Sequence, residues 1–269
     1  MYDQEMIIMV SKDLIQKGDI YAIIPARAGS KGVKNKNIRC VKGYPLLAYA
    51  IAAGALCPQV SRVLVSTDSA EYAKIANYYG GETPFLRPAE YAADNSPDIQ
   101  FMEHVIGWLA ENERKLPEFF MHLRPTTPLR EMSIVNTAAE KMLADPVATS
   151  LRSAHPQVFP PYKMFCVRED GYYRSFVDGM TIDEANNPRQ DFSQVYVPDG
   201  YVDLLRTAFI AEKHLMHGDH VIAYTIEDTI DVDAKKDLEY LEFYMENRET
   251  ELLRYLRENF KPLDETGLV

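Results

Sequence analysis

The chain has 269 residues, 46% hydrophobic and 26% charged, ordinary proportions for a packed globular protein that exclude general disorder. Its 40 Asp and Glu outnumber its 29 Lys and Arg, a net charge of -11, which excludes broad binding of nucleic acid or of an anionic membrane surface. A phosphate-bearing ligand must therefore be small enough for one locally basic site.

Residues 1–18 read as an N-terminal extension before a single domain over 19–269. The apolar run Met6 to Val10 is short and preceded by acids, unlike an export leader, and no run approaches ~20 apolar residues. With Cys40, Cys57 and Cys166 scattered and odd in number, a reducing, cytoplasmic setting is expected. Ile20–Pro25 predicts a strand buried on both faces, and Pro45 to Leu56 a helix with proline in its first turn. Arg62 to Ser66 predicts a strand, Ala70 to Tyr79 a helix stopped at Gly80-Gly81, and Thr83 to Leu86 a short strand. Pro97 to Asn112 is expected to be helical, Phe119 to Leu123 a strand, Ser133 to Leu143 a helix and Val147 to Leu151 a strand. The alternation predicts an α/β fold of three layers around a mainly parallel sheet.

Over 153–192 the rhythm breaks. Prolines and the aromatics Phe159, Tyr162, Phe165, Tyr172, Tyr173 and Phe176 mark an insertion, with a hairpin over Lys163 to Tyr173 turning at Asp170-Gly171. Such a segment packs against a partner subunit or folds as a flap over the core. Beyond it, Val221 to Ile226 reads as a strand and Ala234 to Asn259 as a long helix, broken near Arg248.

Chemistry is concentrated after the first strand. Residues 27–42 carry Arg27, Lys31, Lys34, Lys36, Arg39 and Lys42 and no acid. A strand followed by a glycine-containing basic loop is built for polyphosphate: glycines let backbone N–H groups approach the oxygens and the cations neutralise them. The spacing of Gly29 and Gly32 matches neither a P-loop nor a dinucleotide fingerprint, which disfavours an NAD-linked dehydrogenase. Other polar residues fall at strand ends, where open α/β sheets bind ligands: Thr67-Asp68, Arg87, Arg124, and Asp231 with Asp233. The last two, spaced two apart, suit a hard cation such as Mg²⁺ beside phosphates, or Asp233 caps the helix that follows; both readings stand. His214, His217 and His220 are interrupted by Gly218-Asp219 and do not read as a zinc site.

The set resembles the acylneuraminate cytidylyltransferases, or CMP-sialic acid synthetases, and relatives acting on other 2-keto-3-deoxy sugar acids. The elements are Ile24-Pro25-Ala26-Arg27-Ala28-Gly29-Ser30-Lys31-Gly32 with Lys36-Asn37, Val65-Ser66-Thr67-Asp68-Ser69, and Leu86-Arg87-Pro88-Ala89-Glu90 with Asp94. Arg124-Pro125-Thr126-Thr127-Pro128-Leu129-Arg130, Pro188-Arg189-Gln190-Asp191 and Ile230-Asp231-Val232-Asp233 complete the order. The resemblance implies a nucleotide-diphospho-sugar transferase (Rossmann-like) fold, a homodimer joined through the insertion, and transfer of CMP from CTP to a sialic-acid-like acceptor. It implies that Arg27, Ser30, Lys31 and Lys36 hold the triphosphate, with Asn37 and Arg87 near the nucleoside. Asp231 and Asp233 would bind Mg²⁺, making Arg27, Lys31 and Asp233 the catalytic set. Arg124, Arg189, Gln190, Asp199 and Tyr201 would face the sugar acid. Alternatives are an octulosonate acceptor, another nucleoside triphosphate, or a nucleotide-binding regulator without catalysis.

Three positions depart from the family pattern. Arg124 stands where glutamine is common, and Val197-Pro198-Asp199-Gly200 replaces Arg-Pro-Asn-Gly. Asp199-Gly200-Tyr201-Val202-Asp203 replaces Asn-Gly-Ala-Ile-Tyr. An added acid and a lost cation predict an acceptor other than N-acetylneuraminate, a modified nonulosonic acid with an amine-bearing one as a candidate.

Overall fold

The computed structural model describes residues 11–30, 32–227 and 229–268. Along the chain run β1 (Ile15–Pro25), the small pair β2 (Cys40–Val41) and β3 (Tyr44–Pro45), α1 (Leu46–Leu56), β4 (Val60–Ser66), α2 (Ala70–Tyr78), α3 (Asp98–Asn112), β5 (Leu116–His122) and α4 (Met132–Ala144). There follow β6 (Ser150–Pro156), the hairpin of β7 (Phe165–Val167) and β8 (Tyr173–Ser175), α5 (Ile182–Ala185), β9 (Tyr196–Arg206), α6 (Thr207–Lys213), β10 (Val221–Thr225), α7 (Lys235–Tyr244) and α8 (Glu251–Asn259).

Six strands form one sheet in the order β10-β6-β9-β5-β1-β4. β1 is parallel to β4 and β5, and β10 to β6. β9 runs antiparallel between β5 and β6. The expected three-layer α/β architecture is therefore present, its parallel strands all ending on the same side.

Side-chain alternation along β1 builds both halves of the core. Ile20, Ala22 and Ile24 join the cluster that includes α1, α4 and α8, whereas Tyr21 and Ile23 join the one formed with α3 and α6. α1 is buried almost all round because its small residues let it sit against the strands: a Cβ on Gly54 would lie 2.9 Å from Ala22 Cβ and 3.0 Å from Val63 Cγ2. α8 shows the opposite design, with Leu252, Leu253 and Leu256 inward and charged residues outward. The expected break in the last helix is real: Thr250 restarts it, its hydroxyl accepting the Leu253 N–H at 3.1 Å.

Four boundaries differ from expectation. Residues 83–86 form no strand; Glu82 makes one bridge to Leu64. Val147 and Ala148 belong to a turn, their N–H groups held by Asp145 Oδ1, so β6 starts later. β1 begins at Ile15, within the expected 1–18 extension, of which residues 1–10 lie outside the described residues. Residues 153–156 remain in the sheet as part of β6, paired to β9 and β10, so the excursion from the sheet spans 157–195. Its hairpin forms as expected, with Gly171 at φ +85° in the turn.

β9 carried no signal because Pro198-Asp199-Gly200 reads as a turn. In the fold it is a bulge where the pairing with β6 shifts, with Gly200 at φ +66°. Asp199 secures the bulge, accepting the Ser153 hydroxyl at 2.5 Å and the Tyr201 N–H at 3.0 Å.

Candidate active site

The carboxyl ends of β1, β4 and β5 open into a cleft of about 560 Å³. The basic loop enters it pinned at both ends. Asp68 Oδ1 accepts the Ala28 N–H at 2.8 Å, and the buried Asn37 donates its amide to the Arg27 carbonyl at 3.0 Å. The Thr67-Asp68 element thus acts on the loop's backbone.

Opposite the loop stands the late aspartate segment. A Cβ on Gly32 would fall on the Asp233 carbonyl oxygen, so only glycine allows this approach. Lys36 Nζ lies 2.9 Å from Asp233 Oδ1, and the Val232 N–H donates to the Thr126 carbonyl at 2.8 Å. Loop, Asp233 and the turn after β5 therefore meet, although Gly32 and Asp233 are some two hundred residues apart in sequence; Asp231 lies outside the cleft lining and borders a second cavity. Among the described residues, Arg27, Ser30, Lys36, Asn37, Arg87, Arg124 and Asp233 all line the cleft. Lys31 lies outside the described residues.

The cations are held in different ways. Arg27 pairs with Asp94 at 2.8 Å, and Arg124 with Asp98, the first residue of α3, at 2.6 Å. Arg87 is buried; it donates to the Ser66 hydroxyl at 3.0 Å and the Ser66 carbonyl at 2.7 Å, with Phe101 4.8 Å below its guanidinium. Burial pushes its pKa down to about 10, which still leaves a fixed cation at neutral pH. Arg130 does not face the cleft. It is buried, donating to the carbonyls of Tyr201 (2.6 Å), Arg124 (2.9 Å), Gly200 (3.2 Å) and Thr127, and so clamps the 124–130 turn onto the β9 bulge.

Asp231 and Asp233 lie either side of the buried Val232. Burial and then the neighbouring Asp233 carboxylate push the Asp231 pKa upward, against Thr126 and Lys36. Two repelling carboxylates with an ammonium already drawn to one of them suit a hard divalent cation, whose remaining positions phosphates and water would fill. Among the described residues no group of three or more His, Cys, Asp or Glu is arranged for a metal, so such an ion would depend on its nucleotide.

The remaining expected sugar residues fall elsewhere. Asp199 is spent inside the bulge. Tyr201 is buried, its hydroxyl accepting the Glu131 N–H, and it borders a second cavity of about 730 Å³ that Asp231 also lines. Arg189 and Gln190 lie exposed in a single turn of the insertion, away from the cleft lining. Asp98, in the cleft lining, and His122, at the end of β5, were not among the residues expected at the site.

A family model described as cytidylyltransferase matches residues 21–257. The chain belongs to the cytidylyltransferase family. It is 33% identical over 235 residues to the N-acylneuraminate cytidylyltransferase of Escherichia coli O18:K1:H7, covering 82% of this chain and 50% of that protein. It is 37% identical over 124 residues to the CMP-N,N'-diacetyllegionaminic acid synthase of Legionella pneumophila, covering 45% and 52%. This cytidylyltransferase chain thus spans about half the length of each of these two curated relatives. In fold it is similar to a CMP:2-keto-3-deoxy-manno-octonic acid synthetase solved with CTP, at TM-score 0.62 and 15% identity over 85% of this chain and 98% of that one.

Proposed function

We propose that this chain transfers CMP from CTP to the anomeric hydroxyl of a nonulosonic acid, a sialic-acid-like 2-keto-3-deoxy sugar. The observation that carries the reading is the contact of the Gly32 loop with Asp233 across one cleft, Lys36 bridging them. The acceptor oxygen bonds to the α-phosphorus, the bond from that phosphorus to the oxygen bridging to the β-phosphate breaks, the hydroxyl proton is released, and pyrophosphate leaves. Arg27, Ser30 and Lys36 would bind the triphosphate and offset the charge that gathers on the leaving group. Asn37 and Arg87 would fix the nucleoside end. Asp231 and Asp233 would hold Mg²⁺, which supplies charge neutralisation on the phosphates when bound. Replacing Asp233 with Ala is expected to lower CTP-dependent pyrophosphate release at least 100-fold with the fold unchanged. Full activity in that variant would remove the assignment.

The insertion supports a homodimer. Phe159, Val167, Tyr172 and Tyr173 are each at least 65% exposed, more apolar surface than a lone arm keeps in water. Analytical sedimentation checks it: a dimer in the wild type that Tyr173→Ser weakens is expected, and a monomer at all concentrations would refute it. No helix among the described residues is long and apolar enough to cross a membrane. With its three cysteines unpaired, the cytoplasm is the compartment we assign.

A further inference from the structure

One ring beyond the cleft lies a group of polar side chains that the proposed nucleotide chemistry leaves unused. His122 on β5 and Arg152 on β6 are both register partners of Asp203 on the central strand β9, so the three form a row across three strands. His122 and Asp203 are almost fully buried, at 1% and 3% exposure. Yet both His122 ring nitrogens, Asp203 Oδ1 and Arg152 Nε have no hydrogen-bond partner among the described residues. Their spacing explains why: His122 Nδ1 is 4.0 Å from Asp203 Oδ2 and Arg152 Nε is 3.8 Å from Asp203 Oδ1. Both gaps exceed a hydrogen bond, so neither neighbour satisfies Asp203 directly.

The row adjoins the cleft. The His122 ring lies 5.7 Å from that of Phe101, which lines the cleft beneath Arg87. Arg124 and Asp98, also in the cleft lining, contribute to the field at both His122 and Asp203. Burial holds the His122 pKa down to about 3, so the ring is neutral and offers one donor and one acceptor. Burial pushes Asp203 up to about 6, against the pull of Arg152 and Arg124. Orphaned buried polar atoms cost free energy, and four of them in one row beside a substrate cleft call for a common partner.

We propose that His122, Arg152 and Asp203 form an acceptor subsite that takes a neutral hydrogen-bonding substituent of the sugar acid, a hydroxyl or an N-acyl amide. This deepens the reading above and rests on it. A carboxylate is disfavoured there by Asp203. An ammonium is disfavoured because Arg152 already stands 3.8 Å from Asp203 and Arg124 adds positive charge to the field there. The sequence count of one added acid and one lost cation therefore does not make an anionic pocket: Asp199 anchors the bulge through Oδ1, and Arg152 stands opposite Asp203. The amine-bearing acceptor expected from that count is replaced by an acylated one.

The test uses the full chain, wild type and Asp203→Asn, with CTP and four probes: N-acetylneuraminate, N,N'-diacetyllegionaminate and the N-deacetylated amine of each. Pyrophosphate release is followed, and the His122 ring signals, assigned with His122→Gln, are followed by NMR with each probe in the presence of CDP. The expected result is turnover of an acylated probe by the wild type and a shift of the His122 signals. Asp203→Asn should raise that probe's KM at least tenfold while the KM for CTP changes less than twofold. An unchanged acceptor KM, or His122 signals that stay still while turnover proceeds, overturns the subsite and spares the cytidylyl-transfer reading. Preference for the amines overturns the ligand class. If no probe releases pyrophosphate, the cytidylyl-transfer reading fails for these acids. The His122 signals then decide alone: a shift upholds the subsite and silence removes it.

Discussion

The cleft and the buried row beside it solve the same electrostatic problem in opposite ways. In the cleft three cations each pair with an acid, Arg27 with Asp94, Arg124 with Asp98 and Lys36 with Asp233, while Arg87 is held by Ser66. These pairs are part-exposed, so each contributes little to stability and is readily exchanged for a phosphate oxygen. In the row, Asp203, His122 and Arg152 are held just too far apart to satisfy one another, and two of the three are shut away from water. The first arrangement exchanges partners when a polyanion arrives. The second stores a deficit that a substrate group can relieve, and strained or unsatisfied groups of that kind gather at functional sites.

The comparison can be broken at either end. The larger effect is expected at Gly32. Gly32→Val places a side chain where the Asp233 carbonyl stands, separating loop from aspartates, and should raise the KM for CTP at least tenfold and lower kcat. Steady-state kinetics with unchanged thermal stability would check it, and normal kinetics would mean that the loop and aspartates need not touch. The smaller effect concerns stability. The folded-state pKa of Asp203 is raised from 3.8 to about 6, so its ionised form destabilises the fold. That cost is absent below about pH 4, grows through the interval up to 6 and is complete above it, at most roughly 3 kcal/mol. Asp203→Asn should therefore raise Tm by several degrees at pH 7.5 and by nothing at pH 4, the reverse of its effect on acceptor binding. Calorimetry at the two pH values checks it; a lower Tm at pH 7.5 would show that the carboxylate is satisfied and the row holds no deficit.

Much of the cleft lining was legible because its signals are local. Arg27, Ser30, Lys36 and Asn37 follow a buried strand within a dozen residues, and a strand end of a parallel sheet is where ligands collect. Arg87, Arg124 and Asp233 were readable for the same reason, each lying just past an apolar run or in a short acidic pair. Lys31 shares that logic but lies outside the described residues. Four of the five expected sugar contacts lie outside that lining. Asp199 and Tyr201 looked like site residues because they stand beside a glycine in a departing motif, but the bulge turns one into a backbone anchor and buries the other against the 124–131 turn. Arg189 and Gln190 sit on an exposed turn that does not line the cleft.

By itself the sequence determined the alternation of strands and helices, the basic loop after the first strand and the acidic pair that would face it, since periodicity and charge spacing act over a few residues. Only the tertiary structure decided that β9 runs backward through the sheet and that His122, Arg152 and Asp203 share one row. Strand pairing joins residues that are far apart along the chain, and which of them become neighbours depends on register, which a single bulge resets.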